Sequence, residues 1–270
     1  MALEMVARDG LVLLGCGKMG TALLTGWLAA GVPAASVWVI EPHPTVWLLA
    51  LGVHLNDGLP AAPAVAVLAV KPQMMGAALP ALQALGNGTT LMLSIAAGTS
   101  IATFETAFGA QTPVVRSMPN TPAMVGRGIT GICGNAHATG AHMALARALM
   151  QSVGQVVDLD GEHQIDAVTA VSGSGPAYVF YLIEAMAAAG VTQGLSETVA
   201  MQLARATVCG AGELAHQSAD TATQLRINVT SPGGTTAAAL AVLMEDTHGF
   251  PALLRRAVKA AADRGRELGA

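Results

Sequence analysis

Aromatic residues make up only 3% of this 270-residue chain, although 53% of it is hydrophobic. The interior must therefore be built from Ala, Val, Leu and Met, small or pliable side chains that let helices approach closely. Charge is scarce as well: Asp, Glu, Lys and Arg supply 11% of the residues, where about 25% is usual. Much of the surface is thus uncharged, and burial between subunits is one explanation. Lysine occurs only at Lys18, Lys71 and Lys259, and the formal net charge is -4. Without a basic cluster, nucleic acid is excluded as a partner. Cys16, Cys133 and Cys209 are too far apart for a disulfide framework or a metal pattern, so no metal is expected. They suit a reducing compartment. No apolar run reaches the ~18 residues that cross a membrane, and charge interrupts residues 3–9 before any signal-like segment forms. A soluble, cytoplasmic protein with no membrane partner is expected.

What the chain does have is rhythm. Its first ~160 residues alternate short apolar runs with helical patterns, as in repeated βαβ units. Strands are predicted at residues 10–14, 36–40, 65–70, 90–95, 113–117, 128–133 and 155–159. Helices are predicted between them at 18–30, 45–51, 73–85, 101–108 and 140–152. This implies an α/β domain over residues 1–160 with a mostly parallel sheet covered on both faces. Residues 161–270 contain no convincing strand, only Ala-, Leu- and Met-rich helical patterns broken near 172–176, 190–194, 218–221, 228–234 and 248–251. An all-helical half with so few aromatics would be marginal alone, and packing against a second copy is the expected remedy.

Gly15, Cys16, Gly17, Lys18, Met19 and Gly20 follow the first strand and open the first helix. A tight turn at Gly15, bare backbone at Gly17 and close helix packing at Gly20 place a pyrophosphate on the helix N-terminus. Glu41 follows the second strand, 21 residues beyond Gly20, near where an acidic side chain would bind the ribose 2′-hydroxyl. It would repel a 2′-phosphate, which favours NADH over NADPH. Ala69, Val70, Lys71 and Pro72 lie at the carboxyl end of another strand, where open α/β sheets bind ligands. Residues 94–98 and 117–122 occupy the same rim.

The helical half carries two further motifs. Thr230 and Ser231 offer N-cap hydroxyls, Pro232 suits a first helical position, and Gly233, Gly234, Thr235 and Thr236 leave backbone and hydroxyl donors beside it. Such a helix start can hold a small carboxylate; the plainer alternative is an ordinary capped helix, which the glycine pair argues against. Ser172, Gly173, Ser174, Gly175 and Pro176 repeat the pattern. No Ser/His/Asp set or carboxylate pair accompanies them, so hydrolysis has no candidate nucleophile or base.

Together, residues 15–20, 69–73, 116–122, 172–178 and 229–236 resemble pyrroline-5-carboxylate reductase over nearly the whole chain. The resemblance implies a Rossmann-like N-terminal domain and an all-α C-terminal dimerisation domain, with dimers able to build decamers. It implies reduction of 1-pyrroline-5-carboxylate, a cyclic imine carboxylate, to L-proline by NAD(P)H. Gly15 to Met19 would hold the pyrophosphate; Asn56 and Ala69 to Pro72 the ribose and nicotinamide side; Ala96, Ala97 and Gly98 the nicotinamide. Ser231 to Thr236 would hold the substrate carboxylate, with Thr236 near the ring nitrogen and Ser174 at the companion helix start. NADPH is usual in this family, and many members carry a Ser or Asn-Arg type of sequence where this chain has Glu41-Pro42. The alternatives are a related imine or hydroxy-acid oxidoreductase, for which Lys259 is the only lysine of the second half, and a dinucleotide-binding protein without turnover.

Overall fold

The computed structural model describes residues 2–269. The chain forms two compact units, one running to Gly173 and resuming at Ala261, the other spanning Ser174–Ala260.

The first unit is a sheet protein. Its strands are β1 (Leu11–Leu14), β2 (Val37–Ile40), β3 (His54–Leu55), β4 (Val65–Leu68), β5 (Leu91–Ser94), β6 (Val114–Met118), β7 (Gly128–Gly134) and β8 (Gly154–Asp158). They lie in the order β3-β2-β1-β4-β5-β6-β7-β8. All neighbours are parallel except β6 and β7. Residues 11–14 and 65–68 read as unbroken apolar runs because both faces of the strands are covered. Leu11 and Leu13 join Leu23, Trp27 and Leu149 on one face. Val12 and Leu14 join Leu82 and Phe104 on the other. Buried Trp27 satisfies its indole N–H on the Leu149 carbonyl at 3.0 Å.

One helix, α1 (Ala2–Asp9), precedes the strands, and five connect them: α2 (Lys18–Ala29), α3 (Val46–Leu49), α4 (Pro72–Ala78), α5 (Ile101–Phe108) and α6 (Gly140–Gln151). The single helix expected at 73–85 is instead α4 followed by a tighter turn, Leu79–Leu85. Pro80 sits at that junction, has no N–H to continue the α-helical ladder, and forces the change. Helix α1 and strand β3 were not predicted: charge masks the apolar face of the former, and two residues carry no detectable alternation in the latter.

Beyond β8 the winding never stops for long. A tight turn, Glu162–Gln164, leads into α7 (Ile165–Val168) and a wide turn, Thr169–Gly173. This segment stays with the sheet, where Ile165 packs with Met118 and Cys133.

The second unit holds α8 (Gly175–Thr192), α9 (Glu197–Gln217), α10 (Ala222–Asn228), α11 (Thr235–Leu243) and the first part of α12 (Phe250–Gly269). Its interior is slight. Ala187, Ala200 and Ala204 form a buried cluster where α8 meets α9, and a Cβ on Gly190 would stand 3.3 Å from that of Ala200. Large apolar side chains on the same helices remain in the open, Phe180 at 60% and Tyr181 at 70% exposure. Among the described residues no helix is long and apolar enough to cross a membrane.

Candidate active site

The helix starts of this protein fall into two groups. Thr45, Ser100, Thr139, Ser196 and Thr221 open α3, α5, α6, α9 and α10, and each accepts a hydrogen bond on its side-chain oxygen from the backbone N–H three residues on. Helices α2, α4, α8 and α11 open on Gly17, Lys71, Ser174 and Gly234, and among the described residues none of these has a side-chain cap. This second group lies at the sequence motifs; outside them the short α7, which opens on Gln164, also lacks a side-chain cap. Four orphan N–H groups per helix start need a partner, and where the chain supplies none a ligand can.

At the first of these starts the three glycines do three different jobs. Gly15 has φ of 90°, and a Cβ there would meet Val70 Cγ1 at 2.8 Å and the Ala69 carbonyl oxygen at 2.9 Å. A Cβ on Gly17 would meet no described atom within 4 Å, so the space over the helix start is open. On Gly20 it would lie 2.5 Å from the Gly15 carbonyl oxygen. The turn is thus bent, bare on its outer side and packed tight on its inner side, a cradle fit for a pyrophosphate.

Glu41 reaches that cradle. Its carboxylate accepts the Cys16 N–H at 2.8 Å and the His43 N–H at 3.0 Å. The Asn56 side chain binds the Glu41 main chain twice, accepting its N–H at 3.0 Å and donating to its carbonyl at 2.9 Å. Cys16 itself is buried, its hydroxyl neighbour Thr21 donating to the Cys16 carbonyl at 3.1 Å. Burial pushes the Cys16 thiol up, away from a reactive thiolate.

The remaining rim residues follow the ends of β4, β5 and β6. Ala69 and Val70 are half-buried and Lys71 is exposed beside Pro72. Ala96 is buried, and its N–H donates to Ser94 Oγ at 3.2 Å. Gly98 adopts φ of 69°, and a Cβ there would press on the Leu268 carbonyl at 3.0 Å. Two residues outside the predicted set brace this rim. Arg116, its side chain 8% exposed, donates to Glu162 Oε1 at 2.6 Å, and the same oxygen accepts the Ile101 N–H at 2.7 Å. Asn120 donates to the Ser172 carbonyl at 3.0 Å. That carbonyl stands four residues before Pro176, which has no N–H to give it. The residue types near 116–122 signal a rim, but their partners lie too far along the chain to be read.

In the second unit the structure corrects two expectations. Thr230 and Ser231 are not the N-cap of α11, and Pro232 is not its first residue. Gly234 is the cap, with φ of -81° and ψ of 175°. The Gly234 N–H returns to the Ser231 carbonyl at 3.0 Å, with Pro232 and then Gly233 (φ 69°) between them. That is a type II turn, which wants Pro second and Gly third. The Thr230 hydroxyl donates instead to the Arg226 carbonyl at 2.6 Å. The start of α11 is therefore Gly234-Thr235-Thr236, with Thr235 exposed and Thr236 half-buried. Ser174 differs again: it has helical φ of -85° and ψ of -22°, continuing the wide turn before it rather than breaking the helix as predicted.

Comparison with known proteins separates an N-terminal from a C-terminal part. Residues 162–268 match a family model described as pyrroline-5-carboxylate reductase dimerisation. Residues 11–98 match one described as NADP oxidoreductase, coenzyme F420-dependent. The pyrroline-5-carboxylate reductase of Pseudomonas aeruginosa is 42% identical over 264 residues, covering 96% of each chain. A solved pyrroline-5-carboxylate reductase from Coxiella burnetii superposes with a TM-score of 0.88 at 33% identity, over 97% of this chain and 99% of that one. The Plasmodium falciparum pyrroline carboxylate reductase, solved with NADP bound, gives 0.82 at 30% identity over 97% and 99%. Likeness of this depth, end to end and through both units, means that the chain belongs to the pyrroline-5-carboxylate reductase family.

Proposed function

We propose that the chain reduces 1-pyrroline-5-carboxylate to L-proline with NAD(P)H, and that its motif residues divide the work between two open helix starts. The observation that carries this reading is that all four motif starts, Gly17, Lys71, Ser174 and Gly234, lack a side-chain cap, whereas five helices outside the motifs are capped by Ser or Thr. NAD(P)H, when bound, supplies the hydride. Gly15, Cys16, Gly17, Lys18, Met19 and Gly20 form the cradle that holds its pyrophosphate over the start of α2. Ala69, Val70, Lys71 and Pro72 serve the ribose and nicotinamide side, and Ala96, Ala97 and Gly98 line the nicotinamide. Glu41 accepts hydrogen bonds from ribose hydroxyls and repels a 2′-phosphate, which makes NADH the preferred donor.

The substrate carboxylate rests on the N–H groups at the start of α11, where the helix dipole favours an anion. Gly233 and Gly234 keep side chains out of its way, and the hydroxyls of Ser231, Thr235 and Ser174 add donors. Thr236 accepts a hydrogen bond from the iminium N–H. The protonated imine already carries the positive charge that draws hydride to its carbon, and addition there leaves a neutral secondary amine. No strong protein acid is required, so orientation supplies most of the catalysis. The exposed apolar faces of α8 and α9 and the dimerisation match support self-association, as a dimer that can assemble into a decamer. Charge and cysteine content support a cytoplasmic location.

An assay following nicotinamide absorbance with pyrroline-5-carboxylate, run with NADH and NADPH in parallel, tests the reading. Turnover favouring NADH is expected; cofactor binding without turnover would refute it. Thr236→Ala should lower kcat/KM roughly 10- to 100-fold, the worth of a hydrogen bond to a charged group, while the Kd for NADH stays within about twofold. Equal losses in both would remove Thr236 from the substrate site.

A further inference from the structure

We propose that Asn56 is a positioning residue for cofactor choice, its side-chain amide standing in for the missing end of an edge strand and thereby holding Glu41 in place. The inference rests on the reading of Glu41 as the ribose-binding, phosphate-repelling group.

Strand β3 pairs with β2 through two residues, Trp38 with His54 and Val39 with Leu55. The register is pinned by the stacked rings of Trp38 and His54, 4.3 Å apart. The Asn56 N–H continues this ladder onto the Val39 carbonyl at 2.9 Å. In a parallel ladder the residue two further on, Glu41, faces the same edge and needs a C=O for its N–H and an N–H for its C=O. A third strand residue and its successors would provide them. The main chain leaves the sheet at this point instead, because Asn56 turns into the left-handed region at φ of 53°. Its carboxamide then supplies both missing partners, oxygen to the Glu41 N–H and nitrogen to the Glu41 carbonyl.

Asparagine fits this task for two reasons. It tolerates a left-handed backbone better than most residues, and its amide offers one acceptor and two donors at peptide-like spacing. Aspartate would bring an acceptor against the Glu41 carbonyl, and alanine would bring nothing. From the opposite side the Gly15 N–H holds the Ile40 carbonyl at 2.9 Å. Glu41 is thus fixed at its main chain by Asn56 and at its carboxylate by the Cys16 and His43 N–H groups. Its free lone pairs are aimed before any cofactor arrives.

The test is a double-mutant cycle on the ratio of kcat/KM for NADH to that for NADPH. Asn56→Gly removes the carboxamide while keeping the backbone geometry accessible. It is expected to lower the ratio roughly tenfold, about what two exposed hydrogen bonds are worth. Glu41→Ala should lower the ratio at least as far, and Asn56→Gly should then add little on the Glu41→Ala background. Should Asn56→Gly fail to fold, Asn56→Ala carries the same comparison with the same expected shift, since alanine too brings no partner to Glu41 and adds no charge. A shift of equal size on both backgrounds would mean that Asn56 acts on cofactor choice independently of Glu41, and would overturn the proposal. So would a normal ratio in Asn56→Gly beside a shifted one in Glu41→Ala. An unshifted ratio in Glu41→Ala would instead bring down the reading of Glu41, and this inference with it.

Discussion

The two units bury their apolar residues in opposite ways. In the first, Leu11, Val12, Leu13, Trp27 and Phe104 are sealed between the sheet and its helices. In the second, three alanines form the buried cluster while Phe180, Tyr181, Val199 and Leu203 stay exposed on α8 and α9. Both segments are rich in Ala, Val and Leu, so composition alone does not separate them. The difference lies in period. A parallel strand covered on both faces hides every residue it has, whereas an isolated helix pair hides one stripe. The first unit completes its core alone; the second leaves large apolar side chains exposed and matches a dimerisation model.

The sharpest way to break this contrast is to charge the exposed face. The double substitution Phe180→Asp, Tyr181→Asp should turn an associated protein into a monomer by size-exclusion chromatography with light scattering, since each desolvated, unpaired carboxylate costs several kcal/mol. An unchanged assembly and melting temperature would mean that α8 faces water. Within the first unit, Trp27→Ala should cost about 3 to 5 kcal/mol in denaturant unfolding, combining lost burial with a cavity. A loss below about 1 kcal/mol would show a core that collapses easily, unlike the one described. A smaller, more local effect is expected at the cradle. Gly20→Val sets carbon against the Gly15 carbonyl, where even a Cβ would stand at 2.5 Å. It should weaken NADH binding roughly 100-fold, about 2 to 3 kcal/mol, with far less effect on self-association; isothermal titration and light scattering separate the two.

An effect of similar size, but seen only at alkaline pH, is confined to the first unit. Burial pushes the Cys133 thiol up to about 11 from 9.0, with Arg116 opposing the shift. Below pH 9 the thiol is neutral in folded and unfolded chains alike and the stability it supports is fully present. As pH rises toward 11 the unfolded chain loses the proton first, and about 2 to 3 kcal/mol is lost. Cys133→Ala should flatten melting curves over that window. A slope that survives the substitution would point to another group.

Much of the first unit was legible because burial on both faces leaves a plain apolar run, as at residues 65–68, and because glycine marks the turn at 15–20. Helix α5 was predicted at its observed limits, and Ser100 caps it in the structure. The turn at 231–234 was half legible. Pro followed by Gly suits either a helix start or a type II turn, and the choice depends on where the Gly234 N–H finds its partner. Asn56 entered the predicted site only through family resemblance, as a cofactor contact; nothing local announces that its amide serves Glu41, 15 residues away. The expected boundary near residue 161 follows the switch from strands to helices. The compact units divide after Gly173 and again before Ala261, since residues 162–173 pack on the sheet, while the dimerisation match begins at residue 162.

By itself the sequence determined the alternation of strands and helices, the glycine turn that must stay bare, and the polar, glycine-rich stretch that cannot be helix interior. These depend on the period of side chains and on backbone freedom, properties of a few consecutive residues. Tertiary structure decided which helix starts are capped and which stay open, that Arg116 meets Glu162, and that Asn56 completes the edge beside Glu41. Those outcomes hang on strand register, and a partner 15 or 46 residues away leaves no trace in the local pattern.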